Sequence, residues 1–131
     1  MPAETQRILI VEDNILNVKM LEAKLLGRRF EVEVALDGRE ALAKFAAGTF
    51  DIVLLDVMLP ELDGFEVCRR LRAQPKAAGL RIVMITALDQ PDDRETGLRA
   101  GADDFFVKPV EDDVLFGRLR DLSRPAVAGI N

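Results

Sequence analysis

Apolar runs and stretches of helical period alternate along this chain. Ile8–Val11, Ile52–Leu55 and Ile82–Ile85 are apolar at every position, as expected of strands buried on both faces of a parallel sheet. Asn14 can cap a first helix in which Val18, Leu21 and Leu25 share a face, ending near Gly27. A second strand, about Phe30 to Ala35, leads through the Asp37-Gly38 turn into a helix with Ala41, Leu42 and Phe45 inward, stopped by Gly48. After the third strand, Pro60 and Asp63-Gly64 precede a helix with Phe65, Cys68 and Leu71 on one stripe, ended by Pro75. Pro91 opens a fourth helix that reaches Ala100, with Gly101 as its stop. That helix is the weakest, because its apolar stripe is thin and Gly97 lies inside it. A fifth strand near Asp104 to Val107 gives way after Pro109 to a last helix carrying Leu115, Leu119 and Leu122. Five βα units predict an α/β fold, a doubly wound parallel sheet with helices on both faces.

The strand ends carry the chemistry. Residues 7–11 precede Glu12-Asp13, 52–55 precede Asp56, 82–85 precede Thr86, and 105–107 precede Lys108. If these strands are neighbours, carboxylates, a hydroxyl and an ammonium meet at one sheet edge, where open α/β sheets hold ligands. Such a cluster suits a divalent metal and a phosphoryl group. Each residue also has a structural reading. Glu12-Asp13 can complement a helix macrodipole, Thr86 can be a strand-end hydroxyl, and Asp56 can pair with Lys108. An Asp–Lys pair alone, however, leaves the charges of Glu12 and Asp13 uncompensated, and a buried carboxylate without a cation costs several kcal/mol. A divalent ion resolves the excess, and oxygen ligands favour Mg²⁺, with Mn²⁺ as a substitute.

Composition narrows the picture. At 131 residues one domain is expected, spanning residues 7–123, with residues 1–6 as a disordered N-terminus and 124–131 as a tail or linker start. A net charge of −5 with the basic residues spread out argues against nucleic acid or an anionic membrane as a partner. The single cysteine, Cys68, has no internal disulfide partner and reads as a small core residue. No run approaches the ~20 apolar residues of a membrane span, and residues 1–6 lack a signal-peptide core. A cytoplasmic location is expected. Without histidine the commonest general base and His-ligated metal sites are unavailable.

The motifs Ile10-Val11-Glu12-Asp13-Asn14, Leu54-Leu55-Asp56-Val57-Met58-Leu59-Pro60 with Asp63-Gly64, Ile85-Thr86-Ala87, and Gly101-Ala102-Asp103-Asp104-Phe105 running into Lys108-Pro109 resemble the receiver domains of bacterial two-component response regulators. The resemblance covers residues 7 to about 123. It implies a flavodoxin-like (βα)5 fold with strand order 2-1-3-4-5. It implies that Asp56 takes a phosphoryl group from a histidine kinase or histidine phosphotransfer protein, as an already ionised nucleophile that needs no general base. Glu12, Asp13, Asp56 and the backbone carbonyl of Met58 would hold Mg²⁺, and Lys108 would neutralise phosphoryl oxygens. Thr86 and Phe105 would form the switch, Thr86 moving toward the phosphoryl group and the Phe105 ring turning inward. Pro109 would follow a cis peptide. Phe106 should face the other side of the strand as core.

Two surfaces stand apart from the core pattern. On the first helix Leu16 lies roughly 160° and Ile15 roughly 100° from the Val18–Leu21–Leu25 stripe, which makes both candidates for docking the phosphodonor. Around the fourth and fifth helices, Asp93, Arg94, Arg99, Asp103, Asp112, Arg118 and Arg120 mix both signs, and in related receivers such a face, with the fifth strand, forms homodimers. The domain would be no enzyme beyond its own phosphorylation and slow dephosphorylation. The run from Asp63 to Leu71, with Thr86-Ala87-Leu88-Asp89 and Val114-Leu115-Phe116, looks most like receivers placed before diguanylate cyclase domains. The chain is then either such a receiver excised or a free-standing regulator. The rival is an interaction module of the same fold that signals without phosphate. A Mg²⁺-dependent phosphohydrolase fits poorly, because Asp56-Val57-Met58 lacks a second Asp two residues on.

Overall fold

The computed structural model describes residues 5–123. Of the expected disordered N-terminus, residues 1–6, the first four lie outside the described residues, as does the expected tail 124–131. Strands β1 (Arg7–Val11), β2 (Glu31–Ala35), β3 (Ile52–Leu55), β4 (Arg81–Thr86) and β5 (Asp104–Val107) alternate with helices α1 (Ile15–Leu26), α2 (Gly38–Ala47), α3 (Gly64–Arg72), α4 (Pro91–Ala100) and α5 (Asp112–Ser123). All strand pairs are parallel, in the order β2-β1-β3-β4-β5, as the resemblance implied.

The sheet separates two apolar layers. Leu9, Val53, Leu55, Ile82 and Met84 face α2, α3 and α4, while Ile8, Ile10, Ile52, Leu54 and Val83 face α1 and α5. The central strands therefore bury side chains on both sides, which explains their unbroken apolar runs. The helix starts follow the expected chemistry. Asn14, Asp37 and Asp63 each accept a hydrogen bond from the backbone N–H three residues on, at 3.0, 2.8 and 2.9 Å, which satisfies one orphan donor of α1, α2 and α3. At the end of α4, Gly101 adopts φ +116°, where a side chain would be strained.

Two expectations about α3 require correction. Its buried face is Gly64, Val67, Cys68 and Leu71, with Phe65 only half-buried at its rim, because α3 begins at Gly64 and the inward stripe runs from there. Nor does Pro75 end the helix. α3 stops at Arg72, and Pro75 opens a separate 3₁₀ turn, Pro75–Gly79, that the apolar pattern did not reveal. Proline is as well suited to open a helical turn as to follow one.

Candidate functional site at the sheet edge

Strand register brings the site together. Val11 lies beside Leu55 in the β1–β3 pair, so the next residues, Glu12 and Asp56, leave the sheet side by side. Backbone pairing continues one residue beyond the strands: Asp56 N–H donates to Val11 C=O at 3.0 Å, Glu12 N–H to Ala35 C=O at 3.1 Å, and Lys108 N–H to Thr86 C=O at 2.8 Å. The side chains are thus aimed by a rigid sheet rather than by loops. The Lys108-Pro109 peptide is cis, as the resemblance implied.

Lys108 Nζ donates to Glu12 Oε1 at 2.8 Å and to Asp56 Oδ2 at 3.0 Å. Both carboxylates are nearly buried, Glu12 at 8% and Asp56 at 7% exposure. Their other oxygens are also engaged: Glu12 Oε2 accepts from Asn14 N–H at 3.2 Å, and Asp56 Oδ1 from Met58 N–H at 3.0 Å. Burial, followed by the charge of Asp56, raises the Glu12 carboxyl above its ordinary value despite the Lys108 hydrogen bond. Burial opposes the charge on Lys108, but its hydrogen bonds to Glu12 and Asp56 outweigh that and raise its pKa. Two buried carboxylates therefore share a single ammonium, and the cluster is short of positive charge.

A third neighbour is backbone. A Cβ built on Gly64 would lie 2.3 Å from the Asp56 carbonyl oxygen and 2.6 Å from Val57 Cα, while Gly64 N–H donates to Val57 C=O at 2.8 Å. The first turn of α3 presses on the backbone of Asp56, and only glycine allows it. Asp63-Gly64 is legible as a turn. That the glycine abuts Asp56 is not, because the contact depends on how α3 packs back onto β3.

Thr86 is fully buried, and its Oγ1 accepts a 3.4 Å hydrogen bond from Leu88 N–H. Phe105 is 3% exposed, with its ring inward among Met84 and Ala100, and Phe106 packs on the opposite layer. Ile15 and Leu16 are exposed at 48% and 69%; neither lines the cleft of about 500 Å³ between α1 and α5, whose lining includes Asp56, Lys108, Met20 and Leu115. Asp13 is exposed, and among the described residues no group of three Asp or Glu side chains gathers as a metal cluster. Lys108 joins Glu12 and Asp56 in a triad, and the exposed Asp13 stands outside it. Three like charges repel, and the one ammonium holds only the inner two. The donor set still fits a hard divalent cation: its oxygens are anionic, clustered and under-neutralised.

Several charges of the mixed-sign face already have partners within the chain. Asp103 pairs with Arg72 of α3 at 2.6 Å and Asp112 with Lys24 of α1 at 2.9 Å. Arg118 meets Asp104 at 2.7 Å, Arg99 meets Glu95 at 2.9 Å, and Arg94 donates to the Phe105 carbonyl at 2.8 Å. Asp93 accepts from Gln90 N–H at 3.1 Å and caps its own helix.

A family model described as the response regulator receiver domain matches residues 8–120. The chain is 51% identical to the response regulator PleD of Caulobacter vibrioides over 118 residues, 90% of this chain and 26% of that protein. It is 47% identical over 118 residues to the transcriptional regulatory protein TcrA of Mycobacterium tuberculosis, 90% of this chain and 46% of that protein. The chain thus spans half or less of these relatives. Among solved structures, the chemotaxis protein CheY4 of Vibrio cholerae superposes with a TM-score of 0.85 at 34% identity, over 91% of this chain and 99% of that one. The BeF₃-activated DrrB receiver domain gives 0.80 at 29% identity, over 91% and 97%. No described helix is long and apolar enough to cross a membrane.

Proposed function

The chain belongs to the response regulator receiver family, and from that premise we propose that it accepts a phosphoryl group on Asp56 from a sensor histidine kinase or histidine phosphotransfer protein. The observation that carries this reading is the Lys108 ammonium bonded at once to Asp56 and Glu12 at the end of the sheet. An Asp56 carboxylate oxygen attacks phosphorus in line, forming the P–O bond as the bond to the donor's imidazole nitrogen breaks. Lys108 swings from Asp56 Oδ2 to a phosphoryl oxygen and stabilises the developing charge. The N–H of Met58 keeps Oδ1 oriented. Mg²⁺ held by Glu12, Asp13, Asp56 and the Met58 carbonyl would supply the remaining neutralisation when bound.

Thr86 follows the new phosphoryl oxygen, and the packing of Phe105 transmits the change to the α4–β5–α5 face, a candidate homodimer surface. The exposed Ile15 and Leu16 dock the donor's helices. In a longer protein the segment would serve as input to an output domain, a diguanylate cyclase by its resemblance. All five groups expected of a working acceptor are present, Glu12, Asp13, Asp56, Thr86 and Lys108, which weighs against a phosphate-independent module of the same fold.

Intact mass after incubation with acetyl phosphate, with and without Mg²⁺, followed by sizing, tests the proposal. One Mg²⁺-dependent phosphoryl adduct on the wild type, lost in Asp56→Asn, is expected. Sustained labelling of Asp56→Asn, or no adduct despite measurable Mg²⁺ binding, would overturn it and bring the phosphate-independent module forward.

A further inference from the structure

Gly97 lies in the middle of α4 and is buried against β4 and β5. A Cβ placed on it would stand 2.8 Å from Phe105 Cδ2, 3.2 Å from Phe105 Cε2 and 2.8 Å from Met84 Sδ. Real Cβ atoms do not approach other atoms so closely. Met84 and Phe105 are lateral neighbours in the β4–β5 register and therefore point to the same side of the sheet. Thr86 is two residues beyond Met84 on that side. The three residues form a row beneath α4, and Gly97 is the place where the helix backbone rests directly on that row.

The two contacts differ in what they can yield. The Met84 sulfur is near the end of a flexible side chain and can move aside. The Phe105 ring is rigid, with two side-chain torsions, and the contact is at its flank, so it must leave as a unit. A few residues toward the N-terminus of α4, Arg94 donates to the Phe105 carbonyl at 2.8 Å, while Asp104 is held from α5 by Arg118 at 2.7 Å. The backbone beneath the ring is thus fastened to both flanking helices. A clash at position 97 is relieved more readily by the ring than by lifting α4 from β5.

We infer that Gly97 is the positioning residue of the Phe105 switch: the missing side chain at 97 is the space that admits the ring inward. In this account the glycine that weakens α4 as an isolated helix is retained by packing. Any side chain at 97 turns the Phe105 ring toward the α4–β5–α5 surface, whether or not Asp56 carries phosphate. The word switch rests on the receiver reading above, whereas the steric claim rests on the packing alone.

The test is fluorine NMR on protein carrying 4-fluorophenylalanine, with the Phe105 resonance assigned through Phe105→Leu, alongside intact mass after acetyl phosphate and Mg²⁺. In the phosphorylated wild type the Phe105 fluorine is expected to show no solvent isotope shift between H₂O and D₂O. In Gly97→Ala it should move and become solvent-sensitive, while Asp56 still takes up a phosphoryl group. A Phe105 fluorine that stays buried and unshifted in Gly97→Ala overturns the inference. If Gly97→Ala does not fold, Gly97→Ala/Phe105→Leu decides. A double variant with the urea midpoint of Phe105→Leu supports the steric role, and one that also fails to fold, or whose midpoint falls well below that of Phe105→Leu, overturns it. Absence of a phosphoryl adduct on the wild type overturns the receiver reading, and the fluorine spectra still decide the packing claim.

Discussion

Replacing Lys108 by methionine keeps most of its stem and removes the ammonium shared by Glu12 and Asp56. At an effective dielectric of about 20, unit charges about 3 Å apart attract by roughly 5 kcal/mol, and Lys108 makes two such contacts, at 2.8 and 3.0 Å. Much of that attraction offsets the desolvation of three groups. Deleting one member of a buried pair costs about 3–5 kcal/mol, and because Lys108 keeps 29% of its side chain in water the lower figure, about 3 kcal/mol, is expected. The two carboxylates left behind repel, by roughly 3 kcal/mol if unit charges are taken about 5 Å apart at the same dielectric. Asp56→Asn should therefore recover most of the loss in the Lys108→Met background. In the wild type it should change stability little, since relief of repulsion and desolvation offsets the lost attraction. Urea unfolding at neutral pH with EDTA measures all four proteins. With no Trp or Tyr in the chain, the probe is far-ultraviolet circular dichroism. A loss below about 1 kcal/mol for Lys108→Met, or the same effect of Asp56→Asn in both backgrounds, would refute the shared-ammonium account.

Other outcomes follow from the same geometry. Lys108→Ala should still bind Mg²⁺ and yet give no phosphate-dependent change in amide spectrum or oligomer size; an unchanged response would sink the role given to Lys108. Arg72 donates to the carbonyls of Gly101, Ala77 and Leu80 at 2.8, 3.1 and 2.6 Å and to Asp103 at 2.6 Å. Arg72→Met should cost about 3 kcal/mol by urea titration, and a loss under about 1 kcal/mol would show those groups to be satisfied by water. Burial pushes the Cys68 thiol up to about 11 from its ordinary 9.0, so a thiol reagent at mildly alkaline pH should label it no faster than the protein opens. Because the folded value is the higher one, Cys68 contributes stability that is fully present below about pH 9 and lost as pH rises toward about 11. Cys68→Ala should flatten that part of the stability profile, and an identical decline in both proteins would remove the thiol as its cause.

The sequence by itself determined the architecture and which polar residues stand at the sheet edge. Strands buried on both faces need unbroken apolar runs, helix starts need capping oxygens, and a residue directly after a parallel strand has no choice but the sheet edge. Glu12, Asp56, Thr86 and Lys108 were therefore legible from strand ends alone, and Phe105 and Phe106 were divided between layers by alternation. Tertiary structure decided what depends on partners distant in the chain. The Asp13 side chain stands exposed, outside the Glu12–Lys108–Asp56 triad. Arg72 ties α3 to the 3₁₀ turn, to Leu80, and to Gly101 and Asp103 before β5, through hydrogen bonds that carry no periodic signal. The 3₁₀ turn after α3 exists because Ala77 and Leu80 have a core to enter. Gly64 and Gly97 appear in the sequence only as turn and helix weakness. Their purpose, close approach to Asp56 and to the Phe105 ring, emerges once α3 and α4 lie on the sheet.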